Sequence, residues 1–314
     1  MATPYAYFQG RIVPLAEAKI GIMTHAFNYG TAVFEGIRGN WNETQQQLYL
    51  FRPEDHFKRL LRSARVCRID VQLKVDEMLK LALEVAERSQ YREDVYIRPL
   101  AYKAAEKVGV RLHGIGDDFL IFITPFGPYL DVTRGIRCCV SSWRRIDDNS
   151  IPARAKITGG YINSALAKSE AEEDGYDEAI LLTQDGHVSE GSGENIFLVN
   201  EGRLITPPSS DNILMGITRE SAITLAREEL GLETVERSID RSELYTCEEV
   251  FLTGTAAHIT SVAEIDRRAV GGREGIGPVT AQLQRLYFEA IKGNNSKYRH
   301  WLVPVYTKVA QKVK

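Results

Sequence analysis

The sequence is poor in the features that announce a function by themselves. It has four cysteines, Cys67, Cys138, Cys139 and Cys247. None shows metal-ligand spacing, so no metal is assigned and no disulfide framework is expected. Cys138 and Cys139 alternate across an expected strand, and a reduced, cytoplasmic protein is the simplest reading. Neither sign of charge dominates: the formal net charge is −3, which gives no reason to expect a nucleic-acid partner. The cluster Lys58, Arg59, Arg62, Arg65 and Arg68 and the pair Arg144-Arg145 are local, and helical solvation accounts for most of the cluster. No apolar run approaches the length of a membrane-crossing helix, so no membrane partner is expected. Residues 1–10 lack a basic region followed by an apolar run, so no secretory leader is expected. Internal repeats and low-complexity segments are lacking too.

What remains is a globular composition. The chain has 314 residues, 44% hydrophobic and 26% charged, enough for two domains with a sizeable core. Residues 5–8 and 11–13 flank Gln9-Gly10 as a hairpin, and 48–51 close a second one. Between them Tyr29 and Phe34 bracket glycines, either as core aromatics or as a pocket wall. Pro53, then Glu54 and Asp55, open a helix to about residue 66. Its apolar stripe is Phe57, Leu60, Leu61 and Ala64. At roughly 100° per residue, Arg59 falls on the other side with Ser63 and Val66, where the pattern alone leaves it solvated. A second helix is expected over 75–90. Residues 95–100 alternate as a strand, with Tyr96 and Arg98 on one face and Ile97 on the other. That face can reach a carboxylate, or it can look into solvent. Residues 119–124 are apolar throughout and predict a buried strand. Pro125, Gly127 and Pro128 mark a linker and put a domain boundary between 125 and 135. The chain then divides into domains 1–130 and 131–314.

In the second half, strands are expected over 136–142, 178–183, 196–199 and 249–253, with a tight turn at Asp185-Gly186. Helices are expected over 161–174 (stopped by Gly175), over 216–230 (ended by Gly231), and from Gly277-Pro278 to about 292. A polar, basic tail begins at 294. Four stretches in this half carry possible chemistry. Lys156 sits between a proline turn and Gly159-Gly160, glycines that permit close approach and unusual dihedrals. That suits a lysine aimed at a cofactor carbon, although a surface lysine in a glycine loop has the same pattern. Glu190 and Glu194 lie in a Gly- and Ser-rich segment between strands, where one of them can pair with a buried cation. The N–H groups that open the helix at Gly216, with Thr218, offer an anion site. Gly254-Thr255-Ala256-Ala257 ends a strand in a turn with more N–H donors.

Taken together, six stretches resemble the branched-chain amino acid aminotransferases, which belong to fold-type IV of the pyridoxal-phosphate enzymes. They are Phe34-Glu35-Gly36-Ile37-Arg38, Tyr96-Ile97-Arg98, Ala155-Lys156 with Gly159-Gly160-Tyr161, Ser189 to Asn195, Gly216-Ile217-Thr218-Arg219, and Gly254 to Ala257. The resemblance runs in the family's order from about residue 5 to 292. It implies an α/β (α+β) fold of two domains, with pyridoxal 5'-phosphate in the cleft between them and Lys156 as the Schiff-base lysine. Glu190 would face the pyridine nitrogen and Tyr161 the ring's phenolic oxygen. Arg59, Gly193, the backbone of Ile217 and Thr218, and Thr255 would complete the cofactor site. Substrate carboxylate would rest near Thr255, Ala256 and Ala257, with Tyr96 and Arg98 supporting through Tyr29. Phe34, Tyr29, Phe126, Tyr129 and Val110 would form the apolar pocket, Val110 reaching across from a neighbouring subunit of a homo-oligomer, dimer or hexamer.

The resemblance also implies a reversible ping-pong transamination between L-leucine, L-isoleucine or L-valine and 2-oxoglutarate, so amino acids and 2-oxo acids are the expected partners. The pKa of Lys156 would be lowered by burial and by the cofactor. Two departures bear on specificity. Phe126 stands where several family members carry tryptophan, and residues 103–114 form an unusually charged loop expected over the cleft. Rivals of the same fold are weaker. D-amino-acid aminotransferases resemble one another in an Arg-x-His on the strand of Arg98, where Leu100 replaces the histidine. An aminodeoxychorismate lyase needs a pocket for a ring with two carboxylates, against which Phe34 and Tyr129 argue. A cofactor-free binding protein would have no use for Lys156 together with Glu190.

Overall fold

The computed structural model describes residues 4–127, 129–272 and 275–306. Pro128 of the expected linker, residues 1–3 of the opening stretch and residues 307–314 of the basic tail lie outside these. The first part of the chain runs β1 (Tyr5–Phe8), β2 (Arg11–Pro14), α1 (His25–Tyr29), β3 (Ala32–Phe34), β4 (Ile37–Asn42) and β5 (Gln47–Phe51). It continues with α2 (Pro53–Val66), α3 (Val75–Ser89), β6 (Val95–Lys103) and β7 (Asp117–Pro125). The second part opens with β8 (Ile136–Arg144), α4 (Tyr161–Glu173), β9 (Glu178–Leu182), β10 (Val188–Gly191), β11 (Asn195–Asn200) and β12 (Arg203–Thr206). It closes with α5 (Ile217–Leu230), β13 (Thr234–Glu236), β14 (Glu249–Gly254), β15 (His258–Ile265), β16 (Arg268–Ala269), α6 (Pro278–Ile291) and β17 (Leu302–Pro304).

Among the described residues the strands form two sheets. The first runs β17-β5-β4-β6-β7-β1-β2, with β3 also on β6, and its pairs are antiparallel. The C-terminal strand β17 therefore returns to the sheet built by the N-terminal half. The second runs β10-β9-β8-β15-β14-β11-β12-β13, with β16 on β15. Its parallel pairs are β8 with β9, β8 with β15 and β12 with β13. Two of these three pairs are joined through helical crossovers, as parallel pairing demands: α4 links β8 to β9, and α5 links β12 to β13.

The pleat decides which side chains meet the core. On β5, Leu48 and Leu50 join α2 and α3 in one apolar cluster with Phe57, Leu60 and Met78. Tyr49 and Phe51 point the other way, into a second cluster with Phe197, Phe251, Leu283 and Tyr287 of the second half. Burying each such side chain contributes about 1.5–3 kcal/mol. On β7 the expectation of a uniformly buried strand fails. Phe119, Ile121 and Ile123 are in the core, whereas Leu120, Phe122 and Thr124 alternate to a half-buried face. The reason is geometric: this sheet is antiparallel and has its helices on one side, so its other side borders a cleft.

Helix α2 departs from its predicted pattern in a telling way. Beside the apolar stripe of Phe57, Leu60 and Ala64, it buries His56, Arg59 and Ser63, while Leu61 is only half-buried. This second stripe points at a break in the sheet. β3 pairs with residues 100–102 of β6 and β4 with residues 95–97, and Glu35-Gly36 steps between the two. A Cβ on Gly36 would lie 1.9 Å from the Tyr96 hydroxyl, so glycine is what lets the tyrosine pack there. Among the described residues no helix is long and apolar enough to cross a membrane.

Candidate active site

A cleft of about 580 Å³ opens between the two sheets. Lys156 enters it from the loop between β8 and α4. Three backbone contacts fix that loop. The Lys156 N–H donates to Ser63 Oγ at 3.1 Å, the Phe34 N–H donates to the Lys156 carbonyl at 3.0 Å, and Ile157 bridges to Val33. The glycines act by close approach rather than by unusual dihedrals. Gly160 has φ −71°, and neither Gly159 nor Gly160 adopts positive φ. Gly159 instead crosses Gly30, where a Cβ would lie 2.7 Å from the Gly159 Cα. The left-handed φ of 64° at Gly30 makes this a second reason for glycine there.

The Lys156 ammonium donates to the Tyr161 hydroxyl at 2.6 Å. It lies 5.0 Å from the Phe34 ring centroid and 5.2 Å from that of Tyr161. Among the protein's own groups the expected lowering by burial does not prevail. Burial and Arg59 push the amine down, but the Tyr161 oxygen, and to a lesser extent Glu35, more than offset that and hold it above its ordinary value.

Across the cleft the two candidate glutamates separate by environment. At β10 the register slips between Val188 and Glu190, and Ser189 Oγ donates to the Asp211 carbonyl at 2.6 Å. The irregularity leaves Glu190 lining the cleft. Its Oε1 is 2.8 Å from Arg145 Nη2, and its Oε2 accepts from Asn195 Nδ2 at 3.1 Å and from the Leu214 N–H at 3.0 Å. Burial raises the Glu190 pKa, against the pull of Arg145 and the Leu214 hydrogen bond. Glu194 accepts from the Gly193 N–H at 3.0 Å. Burial and the nearby Glu178 carboxylate push its pKa up to about 8. Glu190 is therefore the glutamate paired with a cation, one that is half-buried. That cation, Arg145, shows in the sequence only as half of a basic pair, with nothing to link it to Glu190.

At the other end of the cleft, Arg59 meets the start of α5. Gly216 precedes that helix without a side-chain cap, and a Cβ there would lie 2.1 Å from Asn195 Oδ1. The N–H groups of Ile217 and Thr218, both lining the cleft, stand at the positive end of the helix, where backbone donors and the dipole favour an anion. Arg59 is not solvated, as its helical position suggested, but 7% exposed. Its Nε and Nη2 donate to Glu35 Oε1 and Oε2 at 2.7 Å each, and its Nη1 donates to the Met215 carbonyl at 2.8 Å. His56 Nδ1 completes the group, 2.7 Å from Glu35 Oε2. No role for Glu35 or His56 was readable from the sequence beyond the place of Glu35 in a motif.

Of the expected substrate residues, Phe34, Tyr96, Arg98, Phe126, Tyr129 and Ala256 line the cleft, as do Gly193 and Thr255 of the cofactor set. The Arg98 guanidinium stacks 4.4 Å from the Phe34 centroid and 5.0 Å from that of Tyr96. Its Nη2 donates to the Tyr96 hydroxyl at 3.2 Å. Ala257 turns its methyl into the core of the second sheet instead. Tyr29 and Val110 do not reach this chain's cleft, and none of residues 103–114 lines it. The Tyr29 hydroxyl accepts from the Gly109 N–H at 3.0 Å, while His25 Nε2 lies 2.6 Å from the Gly109 carbonyl. This clasp ties the loop to α1 rather than over the cleft, and leaves Val110 79% exposed.

Comparison with known proteins adds to this geometry. Residues 32–265 match the family described as amino-transferase class IV. A probable branched-chain-amino-acid aminotransferase of Aquifex aeolicus (strain VF5) is 53% identical over 304 residues, 97% of each chain. Among solved structures, the branched-chain aminotransferase from Thermoproteus uzoniensis with norvaline superposes with a TM-score of 0.92 at 44% identity, covering 97% of this chain and 100% of that one. The branched-chain amino acid aminotransferase from Thermobaculum terrenum, in its PLP-form (holo-form), gives a TM-score of 0.92 at 40% identity, covering 98% of this chain and 100% of that one.

Proposed function

This chain belongs to the class IV aminotransferases, and on that premise we propose that Lys156 is the residue its chemistry turns on, in a cleft that takes branched-chain amino acids at one end and a phosphate at the other. The protein is a pyridoxal-phosphate-dependent branched-chain amino acid aminotransferase. The observation that carries the assignment of Lys156 is its 2.6 Å bond to Tyr161 in a cleft that also presents Glu190, Arg59 and the start of α5.

The donor set suits the cofactor. An amine stands ready for its aldehyde, a hydroxyl for its ring oxygen and a carboxylate for its ring nitrogen. A guanidinium and an open helix start, with Thr218 and Thr255, can hold its phosphate, and Gly193 lines the same cleft. When bound, the group supplies an electron sink for the amino acid's α-carbon. The protein's residues do the rest. The Lys156 Nζ moves the proton to and from that carbon, and the Tyr161 hydroxyl orients Nζ. Arg145, Asn195 and the Leu214 N–H hold Glu190 in place, so that its carboxylate stays aimed at the ring nitrogen. Phe34, Phe126 and Tyr129 supply the apolar wall for an aliphatic side chain, where each buried methylene is worth ~0.8 kcal/mol. Arg98, on the same side, is the cation for the distal carboxylate of glutamate, with 2-oxoglutarate as amino acceptor. The backbone of the turn from Thr255 to Ala257 takes the α-carboxylate.

Two further readings belong here. The enzyme is a homo-oligomer, dimer or hexamer, in which Tyr29 and Val110 of one copy complete the cleft of another. Support comes from Val110 at 79% exposure beside an outward-facing apolar set, Ile22 at 84%, Phe27 at 68% and Val108 at 74%. It works in the cytoplasm, in keeping with four free cysteines.

The test is direct. Borohydride reduction of the purified, cofactor-loaded protein followed by peptide mapping should place the label on Lys156. Lys156→Ala should lose both attachment and nearly all transamination. A label on Lys168 or Lys103 would refute the assignment. Neither is expected, because Lys168 is tied to Glu178 at 3.1 Å and Lys103 to Asp117 at 2.8 Å.

A further inference from the structure

The buried group behind Arg59 holds more than a side chain in place. Glu35 is 0% and His56 1% exposed, and neither lines the cleft. Whatever binds there touches Arg59 and not these two. A guanidinium has five N–H groups. Glu35 takes two of those of Arg59 and the Met215 carbonyl a third, which leaves one on Nη1 and one on Nη2 for the cleft. Glu35 stays ionised, because Arg59 and His56 outweigh the burial that opposes its charge and hold its carboxyl far below the usual range. Burial lowers the His56 pKa in spite of Glu35, so His56 is neutral near pH 7 and serves as a donor to Glu35. The formal charge of the three residues sums to zero.

We propose that Glu35 is a built-in counter-ion and positioning residue for Arg59, so that the anion end of the cleft is charge-balanced before any phosphate arrives. The phosphate is then held by aimed N–H groups, those of Arg59 and of the first turn of α5, rather than by an unpaired positive charge. Glu35 and the incoming anion compete for the field of one guanidinium. This rests on the reading of that end of the cleft as a phosphate site, and it makes a prediction of unexpected sign. Removing a carboxylate that holds a ligand-binding arginine should tighten the binding of a simple anion, because the anion becomes the only charged partner of a buried cation.

The experiment measures inorganic phosphate affinity from the phosphate dependence of Tm in the full-length protein stripped of cofactor, with circular dichroism as the check on folding. Four proteins are compared: unsubstituted, Glu35→Gln, Arg59→Gln and the double variant. The expected order of affinity is Glu35→Gln, unsubstituted, double variant, Arg59→Gln, with about 10-fold between the first two. Arg59→Gln comes last because its unpaired Glu35 repels the anion. A purely structural Glu35 would lower Tm without tightening phosphate. Equal or weaker affinity in a folded Glu35→Gln overturns the counter-ion role and leaves the phosphate site standing. No response to phosphate in the unsubstituted protein overturns the site itself, and the inference with it. Should Glu35→Gln fail to fold even in phosphate, the other two variants decide. The double variant binding more tightly than Arg59→Gln supports the role, and equal binding refutes it.

Discussion

Replacing Tyr161 by phenylalanine removes one oxygen and keeps the ring, so its effect on Lys156 can be worked out with little else changed. The lost contact is the 2.6 Å bond from Nζ. The ring contacts of Nζ, 5.0 Å to Phe34 and 5.2 Å to position 161, remain. A hydrogen bond to a charged group is worth about 1.5–3 kcal/mol, enough that its loss should move the titration of the amine measurably. The sign follows from the balance of causes. Burial already pushes Lys156 down and the Tyr161 oxygen is the largest influence raising it. Without that oxygen, burial prevails and the pKa falls. Only the unprotonated amine can attack the cofactor's aldehyde, so the rate at which the stripped protein captures pyridoxal phosphate rises with pH through the Lys156 pKa. In Tyr161→Phe that rising limb should move to lower pH, while the plateau rate drops because Nζ is no longer aimed. Stopped-flow absorbance from neutral to strongly alkaline pH reads both. A limb that stays in place, or moves to higher pH, refutes the claim that Tyr161 is what holds the amine protonated.

Glu190→Gln should keep the cofactor but set an amide N–H₂ against Arg145 and remove the charge facing the ring nitrogen. Single-turnover transamination is expected to slow on the order of 100-fold; a harmless Glu190→Gln beside a damaging Glu194→Gln would assign the ring nitrogen to Glu194 and refute the role of Glu190. Arg98→Ala should weaken the glutamate half-reaction far more than the leucine half-reaction, measured as separate single-turnover rates. Equal losses would assign Arg98 to the shared α-carboxylate or to its stack between Phe34 and Tyr96. For Glu194 the folded-state pKa, about 8, lies above the ordinary value of a carboxyl, so the folded chain binds that proton more tightly than the unfolded one. Its contribution to stability is fully present below about pH 4.5 and is lost as pH rises through about 8. Thermal melts should accordingly show Glu194→Gln gaining more in Tm at alkaline than at mildly acidic pH, and parallel curves for the two proteins would refute the shift.

Helices α2 to α6 and about half of the strands are legible because each has a local signal: Pro53 at a helix start, Gly231 past a helix end, and period-2 alternation from Val95. Helix α5 begins and ends where Gly216 and Gly231 place it. What cannot be read is every pairing made between segments distant in the chain. Arg145 and Glu190 are 45 positions apart in the numbering of the chain, and they meet because β8, β9 and β10 lie side by side in one sheet. Neither residue carries a local trace of the other. The half-buried face of β7 misleads for a related reason: Phe122 and Thr124 are apolar or neutral enough to pass for core, yet they border the cleft. Tyr29 and Val110 have a different cause, since a clasp on Gly109 turns both away from this chain's own cleft. Arg59 is the sharpest case. Periodicity reports only which side of a helix faces its own core, and by that rule Arg59 faces water. Its side is buried because the sheet breaks at Glu35-Gly36 directly beneath it and the start of α5 arrives beside it. Those are properties of two distant segments and of their docking. A polar residue on the outer face of a helix is thus evidence of solvent only in a chain with a single layer. In one with two sheets, the same position is where a site between the layers must draw its charges.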